Sequence, residues 1–188
     1  MNKHLEPVFH VLLPELEKAG IDYWVYGGIS IAAYAGKFIR DNQDVDIFVR
    51  DVDFENAKSI LDGLCNKNGY ELKFYPRKDN NDRSKLEIKI DNIEVFSMIS
   101  TCQSNNIVEL KYPVKYGGNE KYSDQILERV KRNISDHRFF TSRDKFIKEM
   151  FVNHIKARPD KKKRGKIKID ARAILSLEER SSLGFFVD

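Results

Sequence analysis

Two cysteines in 188 residues, Cys65 and Cys102, are isolated and too few for a disulfide framework. They read as reduced, partly buried thiols. No apolar run reaches the roughly 18 residues needed to span a bilayer, which argues against a helical membrane protein. Met1-Asn-Lys-His-Leu-Glu lacks an apolar signal core, so the expected compartment is the cytoplasm. The four histidines, His4, His10, His137 and His154, show no ligand spacing with one another or with cysteine. Ser97, Ser100 and Cys102 have no evident base beside them, so nucleophilic catalysis has no support. Internal repeats and low-complexity tracts are missing too.

What remains is a globular composition, 41% hydrophobic and 33% charged, long enough for one domain or two small lobes. The net charge of +4 is unevenly spread, because Lys161-Lys-Lys-Arg-Gly-Lys-Ile-Lys168 packs six cations into eight residues. Such a run is either a solvated loop or the seat of an anionic partner, nucleoside triphosphate or nucleic acid.

Periodicity supplies the elements. Leu5, Val8, Phe9, Leu12, Leu13 and Leu16 predict a helix over 4–19 that closes near Gly20. Ile21–Tyr26 reads as a strand, and Ser30 as the cap of a short helix ended by Gly36. Val45–Val49 is a second strand. A helix opened by Asp53 buries Phe54, Ala57, Ile60, Leu61 and Leu64, and Tyr70–Tyr75 follows as a strand. A polar loop runs from Pro76 to Ser84. Lys85–Ile90 and Ile93–Ile99 form a hairpin around Asp91-Asn92, with Glu87, Lys89, Glu94 and Phe96 on one face. Ile107–Leu110 is a short strand. Beyond Ser123 the spacing predicts helices, one marked by Ile126, Val130 and Ile134. A second carries Phe146, Ile147, Met150, Phe151, His154 and Ile155, and a third Ile167, Ala171, Ile174 and Leu175. His154 falls on the apolar side and reads as a core residue. The expected architecture is α+β: a mixed sheet with helices on one face over residues 1–120, then a smaller helical lobe over 121–188.

The chemistry concentrates between Val25 and Asp46. Asp44 and Asp46, at i and i+2 of a strand, project from one face. Two like charges so placed repel unless a cation lies between them, and a hard divalent ion suits. Gly27-Gly28 lets backbone N–H groups approach a phosphate, with Ser30 adding a hydroxyl. A solvated strand face is the bland alternative for the aspartates. Gly117-Gly118 reads as a turn, and Tyr112, Tyr116, Tyr122 and Phe139-Phe140 as core aromatics rather than base-stacking platforms.

The order strand, Gly27-Gly28, helix, Asp44-x-Asp46, strand resembles the nucleotidyltransferase superfamily typified by DNA polymerase beta. Its small bacterial members, which include aminoglycoside nucleotidyltransferases and toxins of toxin–antitoxin pairs, are the most similar. Arg40, four residues before Asp44, also matches, whereas Asn42 stands where threonine or serine is common. The resemblance implies transfer of a nucleoside monophosphate from an NTP, with two Mg2+ ions bridged by Asp44 and Asp46. It also implies a third carboxylate on a neighbouring strand, and Glu94 is the choice here, with Glu87 as rival. Family members often carry an aspartate two residues later, where this chain has Phe96. Lys166, one helical turn from Asp170, is the candidate phosphate contact; Lys148, Lys156 and Lys168 compete with it. The basic second half argues against a polycationic acceptor and tilts toward RNA, a protein hydroxyl or an anionic small molecule, which fits a toxin-like or RNA-modifying role. A protein that binds nucleotide or RNA without turnover is the alternative.

Overall fold

A computed structural model describes residues 2–76, 84–111 and 119–185. Most of the expected Pro76–Ser84 loop, with Tyr112, Tyr116 and Gly117-Gly118, lies outside the described residues. Among the described residues nine strands form one mixed sheet in the order β3-β4-β5-β2-β1-β9-β8, with a ribbon of β6 and β7 continuing from the end of β5. The strands are β1 (Tyr23–Tyr26), β2 (Val45–Arg50), β3 (Glu71–Tyr75), β4 (Lys85–Ile90), β5 (Ile93–Ser104), β6 (Ile107–Lys111), β7 (Asn119–Ser123), β8 (Val130–Ile134) and β9 (His137–Thr141). The helices are α1 (Leu13–Lys18), α2 (Gly27–Tyr34), α3 (Asp51–Asn68), α4 (Asp144–Ala157), α5 (Gly165–Ile174) and α6 (Leu177–Ser182). Among the described residues, no helix is long and apolar enough to cross a membrane.

The N-terminal helix forms over the expected span, but Val8–Leu12 is wound as a wide π turn ahead of α1. Pro14 explains the widening: it has no N–H for the carbonyl four residues back, and its ring crowds that carbonyl. Leu5, Val8, Phe9, Leu12, Leu13 and Leu16 are all buried. They meet Val45, Ile47 and Val49 of β2 and Phe54, Ala57, Leu61 and Cys65 of α3 in the main core. Each such side chain contributes about 1.5–3 kcal/mol when fully buried. α3 stops at Gly69, where φ is +70° and Tyr70 N–H reaches the Cys65 carbonyl at 2.9 Å.

β1 and β2 run antiparallel, β2 and β5 parallel, and β1 and β9 parallel. The opposite face of the sheet carries a second cluster, Trp24, Phe48, Ile99, Phe146 and Met150, on which α4 rests. Trp24 and Phe48 stack at 5.2 Å with their planes 8° apart. A third cluster joins Ile31 of α2 to Ile147, Phe151 and Ile155 of α4 and to Ile167, Ala171 and Ile174 of α5. Through it the helical lobe closes over the start of α2.

One expected helix does not form. Ile126, Val130 and Ile134 lie on a 3-10 turn (Asp124–Leu127) and on β8, whose hairpin with β9 extends the main sheet. The four-residue spacing mimics a helical stripe, but His137, Phe139 and Thr141 alternate inward at period two and are buried. Ser135, at φ 54°, makes the turn. Helix begins only at Asp144.

Candidate active site

β1 ends at Tyr26, which pairs with Asp46 on one side of β2, while Ser97 of β5 pairs with Asp46 on the other. Asp44 and Asp46 therefore emerge together beside the turn that leaves β1. That turn is Gly27-Gly28, the first residues of α2, and no side chain caps its N–H groups. Both glycines are needed. Gly27 has φ +69°, and a Cβ on it would stand 3.0 Å from Asp46 Oδ2. A Cβ on Gly28 would drive into Arg40 Nη2 and Asn42 Oδ1. The Asn42 oxygen is buried without a hydrogen-bond partner among the described residues.

Ser30 is not the helix cap expected of it. The helix starts three residues earlier, and the buried Ser30 Oγ donates to the Gly27 carbonyl at 2.8 Å. It thereby braces the turn from within and still lines the cleft.

The cleft has a volume of about 320 Å³. Its floor is Gly27, Gly28, Ser30, Asp44, Asp46 and Ser97, and its far wall comes from α4, α5 and the turn between them: Met150, His154, Arg158, Lys161, Lys166 and Ile167. Arg40, Asp170 and Lys85 also face it. Seven of the eight site residues expected from sequence meet here: Gly27, Gly28, Ser30, Arg40, Asp44, Asp46 and Lys166.

Glu94 is the exception, since it does not line the cleft. The β4–β5 register slips beside Ile88, where Lys89 pairs with Glu94 but Ile88 pairs with Phe96. This bulge sends both Val95 and Phe96 into the main core, so Phe96 does not share a face with Glu87 and Lys89. Glu94 is then turned to the sheet face that carries Ser97 and Asp46, and burial, then Glu87, with a smaller push from Asp44, raise its carboxyl. Glu87 sits one strand further out, opposite Ser97, and is held by Tyr75 Oη at 2.8 Å and by Lys85. Burial works to raise the Glu87 carboxyl, but these bonds outweigh it and leave it lowered.

Electrostatics mark the floor and the wall as complementary. Burial, then the neighbouring Asp44, push the Asp46 carboxyl up to about 7. Asp44 is also raised, mainly by burial, against the pull of Lys166, Lys85 and Arg40. On the wall, burial followed by Lys161 and Arg158 lowers His154 to about 4, and burial followed by Arg158 and Arg164 lowers Lys161 to about 8. His154 Nε2 and Lys161 Nζ are 3.0 Å apart. His154 thus faces the cleft rather than the core. Carboxylates crowd one side and cations the other, the charge distribution that a metal-bound polyphosphate would match.

The Lys166–Asp170 relation also resolves. Asp170 is taken by Arg40, Nε to Oδ1 at 2.7 Å and Nη2 to Oδ2 at 2.8 Å, and Lys166 lines the cleft. Of its rivals, Lys148 pairs with Glu179 at 2.6 Å, and neither Lys156 nor Lys168 lines the cleft. Sequence reasoning missed Lys85, Ser97, Arg158 and Lys161 as lining residues. Only Lys161 had a signal, its place in the basic run.

The sequence profile of a family described as aminoglycoside-2''-adenylyltransferase matches residues 8–97. No curated protein matches the sequence. Among solved structures, the lincosamide antibiotic adenylyltransferase LnuA with bound lincomycin is similar at 16% identity and a TM-score of 0.56, over 90% of this chain and 97% of that one. ANT(2'')-Ia in complex with adenylyl-2''-tobramycin is similar at 10% identity and a TM-score of 0.60, over 97% and 95%. Its solution structure gives 11% and 0.62, over 97% and 90%. The chain therefore has the fold of these adenylyltransferases, and its residues 8–97, which carry Gly27-Gly28 and Asp44-x-Asp46, are similar to the aminoglycoside-2''-adenylyltransferase family.

Proposed function

We propose that the protein transfers a nucleoside monophosphate from an NTP to a hydroxyl of a small molecule and releases pyrophosphate. The observation that carries this reading is the opposition of Asp44 and Asp46 to Lys161, Lys166 and Arg158 across one cleft floored by Gly27-Gly28. The N–H groups at the α2 N-terminus, in the turn that Ser30 braces, would hold the triphosphate, and Lys166 and Lys161 would neutralise its charge.

The donor set suits a divalent ion. Asp46 is raised to about 7 by burial and by Asp44, a repulsion that a hard cation would relieve. Mg2+ bound by Asp44 and Asp46 supplies charge neutralisation at the transferring phosphate and the leaving pyrophosphate. Glu94, turned to the same side by the bulge, is the best-placed carboxylate to take the acceptor's proton as the hydroxyl attacks.

The acceptor's chemistry follows from the lining. Among the described residues the lining carboxylates are Asp44 and Asp46, which would face the metal, and Asp170, which Arg40 occupies, so none is left over to receive a polycation. A lincosamide-like, hydroxyl-bearing compound of low charge fits better than an aminoglycoside, and LnuA, similar in fold, is named for that substrate class. The volume, about 320 Å³, is at the lower end for small-molecule sites and poor for a folded RNA.

The test is incubation with Mg2+, each α-labelled NTP and a panel of lincosamide, aminoglycoside, RNA and protein acceptors, beside an Asp44→Ala/Asp46→Ala control. Label on a small hydroxyl compound, lost in the control, is expected. Label on RNA or protein instead would overturn the acceptor assignment, and transfer that survives the double substitution would overturn the site.

A second reading, nucleotide binding without turnover, has one observation in its favour. Among the described residues, Asp44, Asp46 and Glu94 do not bring their oxygens within 4.8 Å of one another as a group. Calorimetry showing tight Mg–NTP binding, with no pyrophosphate released for any acceptor, would support it.

A further inference from the structure

Outside the cleft, Glu6, His10, Asp136 and His137 each offer a ligand atom, and these atoms all lie within 4.8 Å of one another. None of the four lines the cleft. Glu6 and His10 are four residues apart on the N-terminal helical segment, and Asp136-His137 is the turn entering β9. The fold brings two pieces of chain together that the linear spacing of histidines does not connect.

We propose that Glu6, His10, Asp136 and His137 bind a borderline transition-metal dication of the zinc class, which ties the N-terminal helical segment to the β8–β9 hairpin. The donor set is two imidazoles and two carboxylates, which favours zinc-like ions over Mg2+ or Ca2+. Two carboxylate charges also balance a dication. With metal–ligand bonds of about 2.0–2.2 Å, tetrahedral ligand atoms lie roughly 3.4 Å apart. The separations bracket that figure: His10 Nε2 to Glu6 Oε2 2.8 Å, His10 Nε2 to Asp136 Oδ2 3.9 Å, and His137 Nδ1 to Asp136 Oδ1 3.7 Å.

His137 sets this cluster apart from a surface ion-pair network. The residue is 5% exposed, and its Nδ1 is buried with no hydrogen-bond partner among the described residues. Such an atom costs stability unless something satisfies it, and it points at the carboxylate of Asp136. A Glu6–His10 ion pair accounts for those two residues and leaves this nitrogen unexplained. The ring cannot turn away to find water, because Phe9 stacks on it at 4.4 Å and Phe38 meets it edge-on at 5.8 Å. Its Nε2 lies 3.7 Å from Glu6 Oε1, where a carboxylate would orient a ligating imidazole. The histidine is therefore held ready, while Glu6, His10 and Asp136 stay open enough to exchange an ion.

The test uses the full chain, without a histidine tag, in the Asp44→Ala/Asp46→Ala background so that the cleft cannot supply a competing site. After chelation and dialysis, Zn2+ is titrated by calorimetry and Co2+ by visible absorption. One equivalent with an intense four-coordinate cobalt band is expected. So is a rise in Tm of about 5–10 °C at a hundredfold excess of Zn2+ over Kd. His10→Ala and Asp136→Asn, both at exposed positions, each weaken Zn2+ binding by about 100-fold or more with the metal-free Tm little changed. His137→Gln removes the cobalt band. Absence of Zn2+ binding in this background, or binding that ignores both exposed substitutions, overturns the site. Neither result bears on nucleotidyl transfer.

Discussion

Asp170 of α5 grips Arg40 in a two-pronged pair, and Arg40 in turn covers Gly28, where even a methyl group would strike its Nη2. The third guanidinium nitrogen donates to the Asp41 carbonyl at 3.0 Å. The pair is buried, with the Asp170 side chain 2% and that of Arg40 12% exposed. It joins the helical lobe to the glycine turn, so Arg40 positions the turn rather than offering free donors to a ligand. Removing one partner strands the other charge. Asp170→Ala should therefore cost about 3–5 kcal/mol in urea unfolding, and Arg40→Met/Asp170→Leu should recover most of it. A double variant no more stable than Asp170→Ala would show that the cost lies in losing the pair itself rather than in stranding the Arg40 charge.

Gly28 gives a separable expectation. Its φ is not in the left-handed region, so Gly28→Ala meets no backbone strain. The added methyl instead pushes Arg40 and Asn42 from the turn that would cradle phosphate. Affinity for Mg–NTP should fall about tenfold or more, with a loss of stability of about 1–3 kcal/mol as Arg40 yields against Asp170. Calorimetry beside urea unfolding separates the two, and a large loss of stability with affinity unchanged would contradict the assignment.

Asp46→Asn should make the metal-free protein more stable. The sign follows from linkage: the folded-state pKa is raised from 3.8 to about 7, so between those values the folded state binds more protons than the unfolded. Stability is then lost as pH rises through that window. Asparagine removes the ionisation, and a gain of about 1–2 kcal/mol at pH 8 is expected, shrinking toward pH 4. The same substitution should abolish nucleotidyl transfer. A variant less stable at pH 8 than the parent would mean that the carboxylate is already compensated without metal.

Glu94 and Glu87 are distinguishable by kinetics. If Glu94 takes the acceptor proton, Glu94→Gln lowers kcat by about 10²–10⁴ with KM for the NTP nearly unchanged. Glu87→Gln loses only the bonds from Tyr75 and Lys85, and kcat should stay within a few-fold. The reverse order would move the role one strand outward.

These residues also show what the sequence could and could not carry. The strand, glycine turn and Asp44-x-Asp46 were legible because local constraints, a positive φ at Gly27 and period-two projection from β2, leave a local signature. The hairpin at Asp91-Asn92 was legible for the same reason, with both turn residues at positive φ. Partners set by tertiary packing were not. Asp170 looked like the neighbour of Lys166 at one helical turn, but the fold brings it Arg40 from the other lobe. The β8–β9 hairpin hid behind a four-residue apolar spacing that either a helix or a short strand pair could satisfy. The bulge that turns Glu94 depends on how β4 and β5 slip in register, which no residue in that stretch announces.

Lys161 supplies a pH signature for the cleft. Burial, with Arg158 and Arg164 next to it, lowers its pKa to about 8, so about half of the free protein carries a neutral amine at pH 8. A bound triphosphate favours the charged form, and binding should then take up a proton. Affinity for the NTP should fall above pH 8, by at most about tenfold per pH unit. Calorimetry in buffers of different ionisation enthalpy measures the proton uptake directly. Lys161→Arg, charged throughout this range, should flatten both the fall in affinity and the uptake near pH 8. A pH profile that the arginine variant leaves unchanged would place the triphosphate away from Lys161 and leave Lys166 as its lysine contact.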